Sequence, residues 1–206
     1  VNARQDIYLR QQELNLVVPR KAAVCGLGGI GSWVALDLAL LGVPELVLLD
    51  PDALEPHNLN RTPYTPSQVG RLKVQALAEL IAERRPDCVL VLYPNLYQEV
   101  EDMLPPDIQW FFDCADNLLV KQRAARRGWQ YLKLGYDGFG FTWDAAPELP
   151  WEEGSRQGYG TVPSFVGTPQ FLAALAVSAV AAGLAREHAL ACGDLREVVS
   201  HVLQAA

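Results

Sequence analysis

The sequence predicts a doubly wound α/β fold, with a mainly parallel β-sheet and helices on both faces. Two observations carry that expectation. Short apolar runs alternate with segments of helical period from Lys21 to Gly135, and a glycine-rich turn joins the first run to the first helical segment. Strands that alternate with helices give a parallel sheet, because each helix is the crossover that returns the chain to the same direction. At 206 residues the chain can fill one core but not two large ones, so residues 1–206 are read as a single domain.

Each element has its own local reason. Residues 1–20 are read as a helical arm; Arg4, Asp6, Arg10 and Glu13 interrupt its apolar residues, so it lacks a signal-peptide pattern. Lys21 to Cys25 (KAAVC) is an apolar run ended by Gly26, which suits a buried strand. Ser32 to Leu41 reads as a helix between Gly31 and Gly42, and Glu45 to Leu49 (ELVLL) as a second strand stopped by Asp50-Pro51. A Pro-, Asn- and His-rich loop follows to about Pro66. Gly70 to Arg85 then has helical spacing at Leu72, Ala76, Leu80 and Ile81, and Pro86 ends it. Asp87 to Tyr93 and Trp110 to Cys114 are the third and fourth strands, Asn117 to Arg127 a helix, and Gln130 to Gly135 a fifth strand. From 136 to 167 the period dissolves, and a functional loop, a lid or an edge hairpin all fit. Residues 168–206 are read as C-terminal helices, Pro169 to Glu187 and Leu195 to Gln204. The alanine-rich stretch Phe171 to Ala185 is shorter than the roughly 20 apolar residues of a membrane span, so it reads as a packing helix and no membrane is expected.

Composition narrows the partners. Lys plus Arg number 17 against 24 Asp plus Glu, a net charge of −7, which argues against a general nucleic-acid binder. The four cysteines form no CxxC pair, so neither a structural zinc nor a disulfide framework is expected, and a reducing cytoplasm is the natural setting. Cys25, Cys88 and Cys114 fall on strands or strand ends as core residues, while Cys192 falls between the last helices as an exposed thiol. His57, His188 and His201 show no metal spacing.

Four motifs carry chemistry. Gly26-Leu27-Gly28-Gly29-Ile30-Gly31 fits G-x-G-x-x-G between a strand and a helix, the context in which that pattern binds a nucleotide and makes the fold Rossmann-like. Gly26 permits the turn, Gly28 lets a phosphate approach the backbone, Gly31 allows helix and strand to pack closely, and Gly29 between them joins the nucleotide-binding set; a merely structural glycine turn is the alternative. The helix N-terminus beyond offers N–H groups to the anion. Asp50 ends the second strand, where a carboxylate holds ribose hydroxyls. The loop Asp50-Pro51-Asp52 through His57-Asn58-Leu59-Asn60-Arg61 suits a triphosphate, since Arg matches phosphate oxygens bidentately, but it also suits a polar surface loop. Lys73, in Gly70-Arg71-Leu72-Lys73, stands where it reaches the cleft or solvent. Asp116, in Asp113-Cys114-Ala115-Asp116-Asn117, lies outside a strand's carboxyl end, fit to hold Mg²⁺ or to cap the next helix.

Together and in this order the motifs resemble the ubiquitin-activating-enzyme-like family, the ThiF/MoeB/HesA group. The resemblance runs from Arg4-Gln5 through the glycine turn, LLDPD, HNLNR, VGRLK and DCADN, about the first 120 residues. It implies ATP- and Mg²⁺-dependent adenylation of the C-terminal carboxylate of a small ubiquitin-like or sulfur-carrier protein ending in Gly-Gly, usually by a homodimer. By resemblance Asp50 holds the ribose, Asn58, Arg61 and Lys73 hold the phosphates, Asp52 and Asn117 also belong to the nucleotide site, and Asp116 is the essential carboxylate at the magnesium. Arg4 reaches across to the other subunit's ATP. Three departures stand out: Thr62 replaces a usual Gln, the zinc knuckles are missing, and no cysteine lies between Asn117 and Pro169. The aromatics Tyr136, Phe139, Phe141, Trp143, Trp151 and Tyr159 either line a channel for a Gly-Gly tail or cover a sheet edge. An NAD-dependent oxidoreductase and a non-catalytic nucleotide-binding or dimerisation module remain as alternatives.

Overall fold

The computed structural model describes residues 7–116, 118–124, 126–145, 162–185 and 190–204. Among these residues seven strands form one sheet in the order β3-β2-β1-β4-β5-β6-β7. They are β1 (Lys21–Cys25), β2 (Glu45–Leu49), β3 (Val89–Tyr93), β4 (Trp110–Asp113), β5 (Gln130–Asp137), β6 (Gly140–Asp144) and β7 (Leu190–Asp194). The first five run parallel, while β6 pairs antiparallel with both β5 and β7. This is the Rossmann-like, mainly parallel architecture that the alternation predicts.

Residue alternation on the strands builds a core on each side. Ala22 and Val24 of β1, Leu46 and Leu48 of β2, and Phe112 of β4 face one core. Helices α1 (Gly31–Leu41), α2 (Lys73–Arg84) and α5 (Gly167–Ala181) cover it, with Val34, Leu38, Leu77, Ile81, Leu172 and Ala176 buried there. Ala and Gly on α1 and α5 let those two helices pack closely. The alternate residues Ala23, Val47 and Phe111 face the second core, under α3 (Tyr97–Val100) and α4 (Leu118–Ala124). There Phe111 stacks on Trp129 at 5.3 Å and meets the edge of Tyr97 at 5.6 Å.

The structure corrects the expectations at several points. The unpatterned 136–167 region contains the antiparallel hairpin partner β6, and the tail 168–206 contains a strand, β7, as well as α5 and α6 (Leu195–Gln204). Cys192 lies on β7 rather than in a loop between helices. The described part of the arm holds a 3-10 turn, Gln12–Leu14, instead of a continuous helix. Helix α2 starts at Lys73 rather than Gly70, because Gly70 takes a left-handed φ of 87° and Leu72 is extended. Helix α5 stops at Ala181, short of Glu187. No described helix is long and apolar enough to cross a membrane.

Helix α1 also buries part of Asp37, and loss of hydration lifts its carboxyl to a pKa of about 6 from an ordinary 3.8. The folded state therefore holds the Asp37 proton more tightly than the unfolded chain does. Its favourable contribution is complete below about pH 4 and is lost as the pH rises through about 6. Asp37→Asn is expected to flatten that part of the pH–stability curve and to stabilise the protein at pH 7 by about 1–2 kcal/mol, allowing for solvent screening. Urea unfolding at pH 4 and pH 7 checks this; equal effects at both values would count against it.

Candidate functional site

The glycine turn leaves the carboxyl end of β1 and is held in shape by bonds to its neighbours. The Gly26 N–H donates to the Leu49 carbonyl at 2.8 Å, and the Tyr64 hydroxyl donates to the Leu27 carbonyl at 2.9 Å. Gly26 has φ of 84°, and a Cβ there would lie 2.8 Å from the Ala115 nitrogen. Gly31 is tighter still, since a Cβ would sit 1.9 Å from the Gly26 carbonyl oxygen. At Gly28, by contrast, a Cβ would meet nothing within 4 Å. The turn is closed where it packs on the protein and open at Gly28, as backbone approach by a phosphate requires.

Asp50 joins this turn to the neighbouring loop. One carboxylate oxygen accepts the Leu27 N–H at 2.6 Å, and the other accepts the Asp52 N–H at 2.9 Å. Lys73, the first residue of α2, places its Nζ 3.5 Å from Asp50 Oδ1 and 2.7 Å from Asp52 Oδ2. Burial raises the Asp50 pKa above the ordinary range, against the pull of the Lys73 ammonium and the two N–H donors. A buried carboxylate, a glycine turn and a cation thus form one hydrogen-bonded unit. Lys73 is buried beside the cleft rather than solvated, and this is the alternative that its sequence context left open.

The HNLNR loop is folded on itself. Asn58 is buried, and its side-chain oxygen accepts the Glu55 N–H at 3.0 Å. The Arg61 guanidinium donates to the His57 carbonyl and to Asn60 Oδ1, and the Arg61 carbonyl accepts the Trp33 indole N–H at 3.0 Å. Thr62, the departure from the family pattern, is buried and donates to the Asn58 carbonyl at 2.9 Å. In this structure Asn58 and Arg61 therefore organise their own loop.

The turn Asp113–Asp116 leaves β4 against the glycine turn, with the Cys114 N–H bonded to the Cys25 carbonyl at 2.8 Å. Asp116 is exposed at its end. Burial pushes the Cys25, Cys88 and Cys114 thiols upward, so they are poor nucleophiles. Arg4 and Asn117 lie outside the described residues, as do His188, Trp151 and Tyr159.

Tyr136, near the end of β5, lies against Gly29. A Cβ on Gly29 would lie 2.7 Å from the Tyr136 hydroxyl, which pairs with Ser164 Oγ at 2.7 Å. Asn60 Nδ2 donates to the Ser164 carbonyl at 3.3 Å, and the Gly138 N–H donates to the Pro163 carbonyl at 2.9 Å. Of the aromatics in this region, Tyr136 faces the turn, whereas Trp143 is buried in the core and Phe141 packs on Phe171.

Sequence reasoning passed over one residue beside the site. Lys133 on β5 is only 1 % exposed, and its ammonium contacts Asp113 and the Ala115 carbonyl. The signal available was a lysine inside the apolar run QYLKLG.

Comparison with known proteins agrees with this geometry. The chain is 32% identical over 107 residues to the tRNA threonylcarbamoyladenosine dehydratase of Haemophilus influenzae, a match covering 50% of this chain and 41% of that protein. It is 43% identical over 85 residues to Ubiquitin-like modifier-activating enzyme 5 of Arabidopsis thaliana, covering 41% of this chain and 18% of that one. The chain thus spans less than half the length of these two relatives. In fold it resembles the crystal structure of PaaA, with a TM-score of 0.72 at 19% identity over 95% of this chain and 71% of that one. It also resembles Escherichia coli MccB solved with ATP, with a TM-score of 0.65 at 19% identity, covering 82% and 57% of the two chains. Residues 8–146 match the ThiF family itself, and the chain belongs to that family.

Proposed function

We propose that the protein activates a carboxylate by ATP-dependent adenylation, and that its substrate is the C-terminus of a small ubiquitin-like or sulfur-carrier protein. The observation that carries the reading is the unit formed by Leu27, Asp50 and Lys73, in which a ribose-binding carboxylate and a phosphate-binding cation share one edge of the glycine turn. That pairing suits a nucleoside triphosphate better than hydride chemistry, for which a cation against Asp50 supplies nothing. MccB, of similar fold, has been solved with ATP and with MccA, so a protein of this fold takes a nucleotide and a second molecule, as the proposal requires.

In the reaction a carboxylate oxygen attacks the α-phosphorus of ATP. The bond from that phosphorus to the bridging oxygen breaks, and pyrophosphate departs with the electron pair. The nucleophile is already ionised, so the site must offset repulsion between anions, which Lys73 and the helix N-terminus do by position and charge. A Mg²⁺ bound with the nucleotide would supply further charge neutralisation. Such an ion takes one or two carboxylates plus phosphate oxygens, and the exposed Asp116 is the residue that would hold it. The reading includes a homodimer in which Arg4 serves the other subunit's nucleotide.

Exchange of labelled pyrophosphate into ATP tests the proposal. Exchange is expected only with Mg²⁺ and a carrier protein ending in a free Gly-Gly carboxylate, and blocking that carboxylate as an amide should stop it. Exchange with a small carboxylic acid but no carrier would retain adenylation and reject the protein substrate; no exchange with either would reject the activity.

A further inference from the structure

A lysine buried in the middle of a strand needs a reason, because stripping water from an ammonium is costly. Lys133 lies on the same face of β5 as Tyr131, opposite Asp113 across the parallel pairing with β4. Its Nζ is 2.9 Å from Asp113 Oδ1 and also donates to the Ala115 carbonyl. Asp113, wholly buried, accepts the Ala115 N–H at 3.1 Å on that same oxygen and the Tyr131 hydroxyl at 2.5 Å on the other. Both polar backbone groups of Ala115 are thereby tied to one buried ion pair. The tied residue sits against Gly26 on one side and precedes Asp116 on the other.

We infer that Lys133 is a positioning residue: by holding the Ala115 carbonyl it sets the turn that carries Asp116 in fixed register with the glycine turn. A buried ammonium needs acceptors for its remaining protons, and one acceptor this fold supplies is the backbone of the turn that leads to Asp116. The inference rests on the reading of Asp116 as the carboxylate that meets Mg²⁺ on the nucleotide.

The test is calorimetric titration with ATP, in EDTA and in Mg²⁺, of the wild type and of Lys133→Met, which keeps the stem and removes the charge. Binding in EDTA is expected to change less than about threefold, because the Leu27–Asp50–Lys73 unit is untouched. The tightening brought by Mg²⁺ is expected to fall about tenfold or more, the usual effect of losing a group that orients a metal ligand. Asp113→Asn/Lys133→Met removes the pair together, leaves no lone buried charge, and guards against failure to fold. It is expected to lose the Mg²⁺ gain as well, because the Ala115 carbonyl still lacks its ammonium. If either folded variant keeps the full Mg²⁺ gain while its melting temperature shifts, Lys133 is merely structural and the inference is overturned. If the wild type itself shows no Mg²⁺ gain, the Asp116 reading fails and takes the inference with it, a result distinct from the first.

Discussion

Gly31→Ala is expected to lose about 3 kcal/mol or more of stability, or to fail to fold. The added methyl would lie 1.9 Å from the Gly26 carbonyl oxygen and 3.2 Å from the Cys114 side chain. The two nearest atoms are Gly26 backbone, so relief requires moving the turn after β1 against α1. Gly28→Ala is the contrasting variant. Nothing lies within 4 Å of its new methyl, so it is expected to unfold at the same urea concentration as the wild type or slightly higher. Its ATP affinity should nevertheless fall about tenfold or more, because the methyl blocks close approach of a phosphate to the turn. Urea unfolding and ATP titration of both variants separate the two roles. If Gly28→Ala bound ATP normally, the phosphates would have to lie elsewhere.

Lys73→Ala is expected to lower pyrophosphate exchange by about 10²–10³-fold, the scale for removing one preorganised charge from a reacting centre. Lys73→Arg should rescue little, because a planar fork cannot take the place of a compact ammonium between Asp50 and Asp52. The ligand-free protein offers an independent readout. The Asp50 pKa is already raised by burial, so its contribution to stability is greatest at low pH and is lost as the carboxyl ionises. Without Lys73 that loss should steepen, and the variant should be more destabilised at pH 7 than at pH 4. A uniform loss at both values would show that the ammonium does little for Asp50.

The parallel half of the sheet was readable because its information is local. β1 and β2 begin and end at the residues expected, since each is an apolar run stopped by Gly26 or by Asp50-Pro51. The glycine turn and Asp50 were readable for the same reason. The antiparallel edge stayed one of three alternatives, because Gly140 on β6 pairs with Asp194 on β7, far along the chain, and LACGD does not alternate in polarity, while GFTWD alternates over only four residues. Lys133 escaped on similar grounds. Its partner Asp113 lies on another strand, and no local pattern distinguishes a lysine that pairs across a sheet from one that interrupts it. Arg61 shows the converse limit: a residue type suited to phosphate can instead be engaged by its own loop.

The reversal of direction at β5 has a consequence for how this scaffold diversifies. The strand end that carries the glycine turn and the turn at Gly138 lie on the same rim, and the turn at Gly138 joins the parallel half of the sheet to the antiparallel half. Residues inserted there would raise one wall of the crevice without disturbing its floor. The architecture thus separates the glycine turn, fixed by the parallel strands, from a neighbouring turn whose length can change independently.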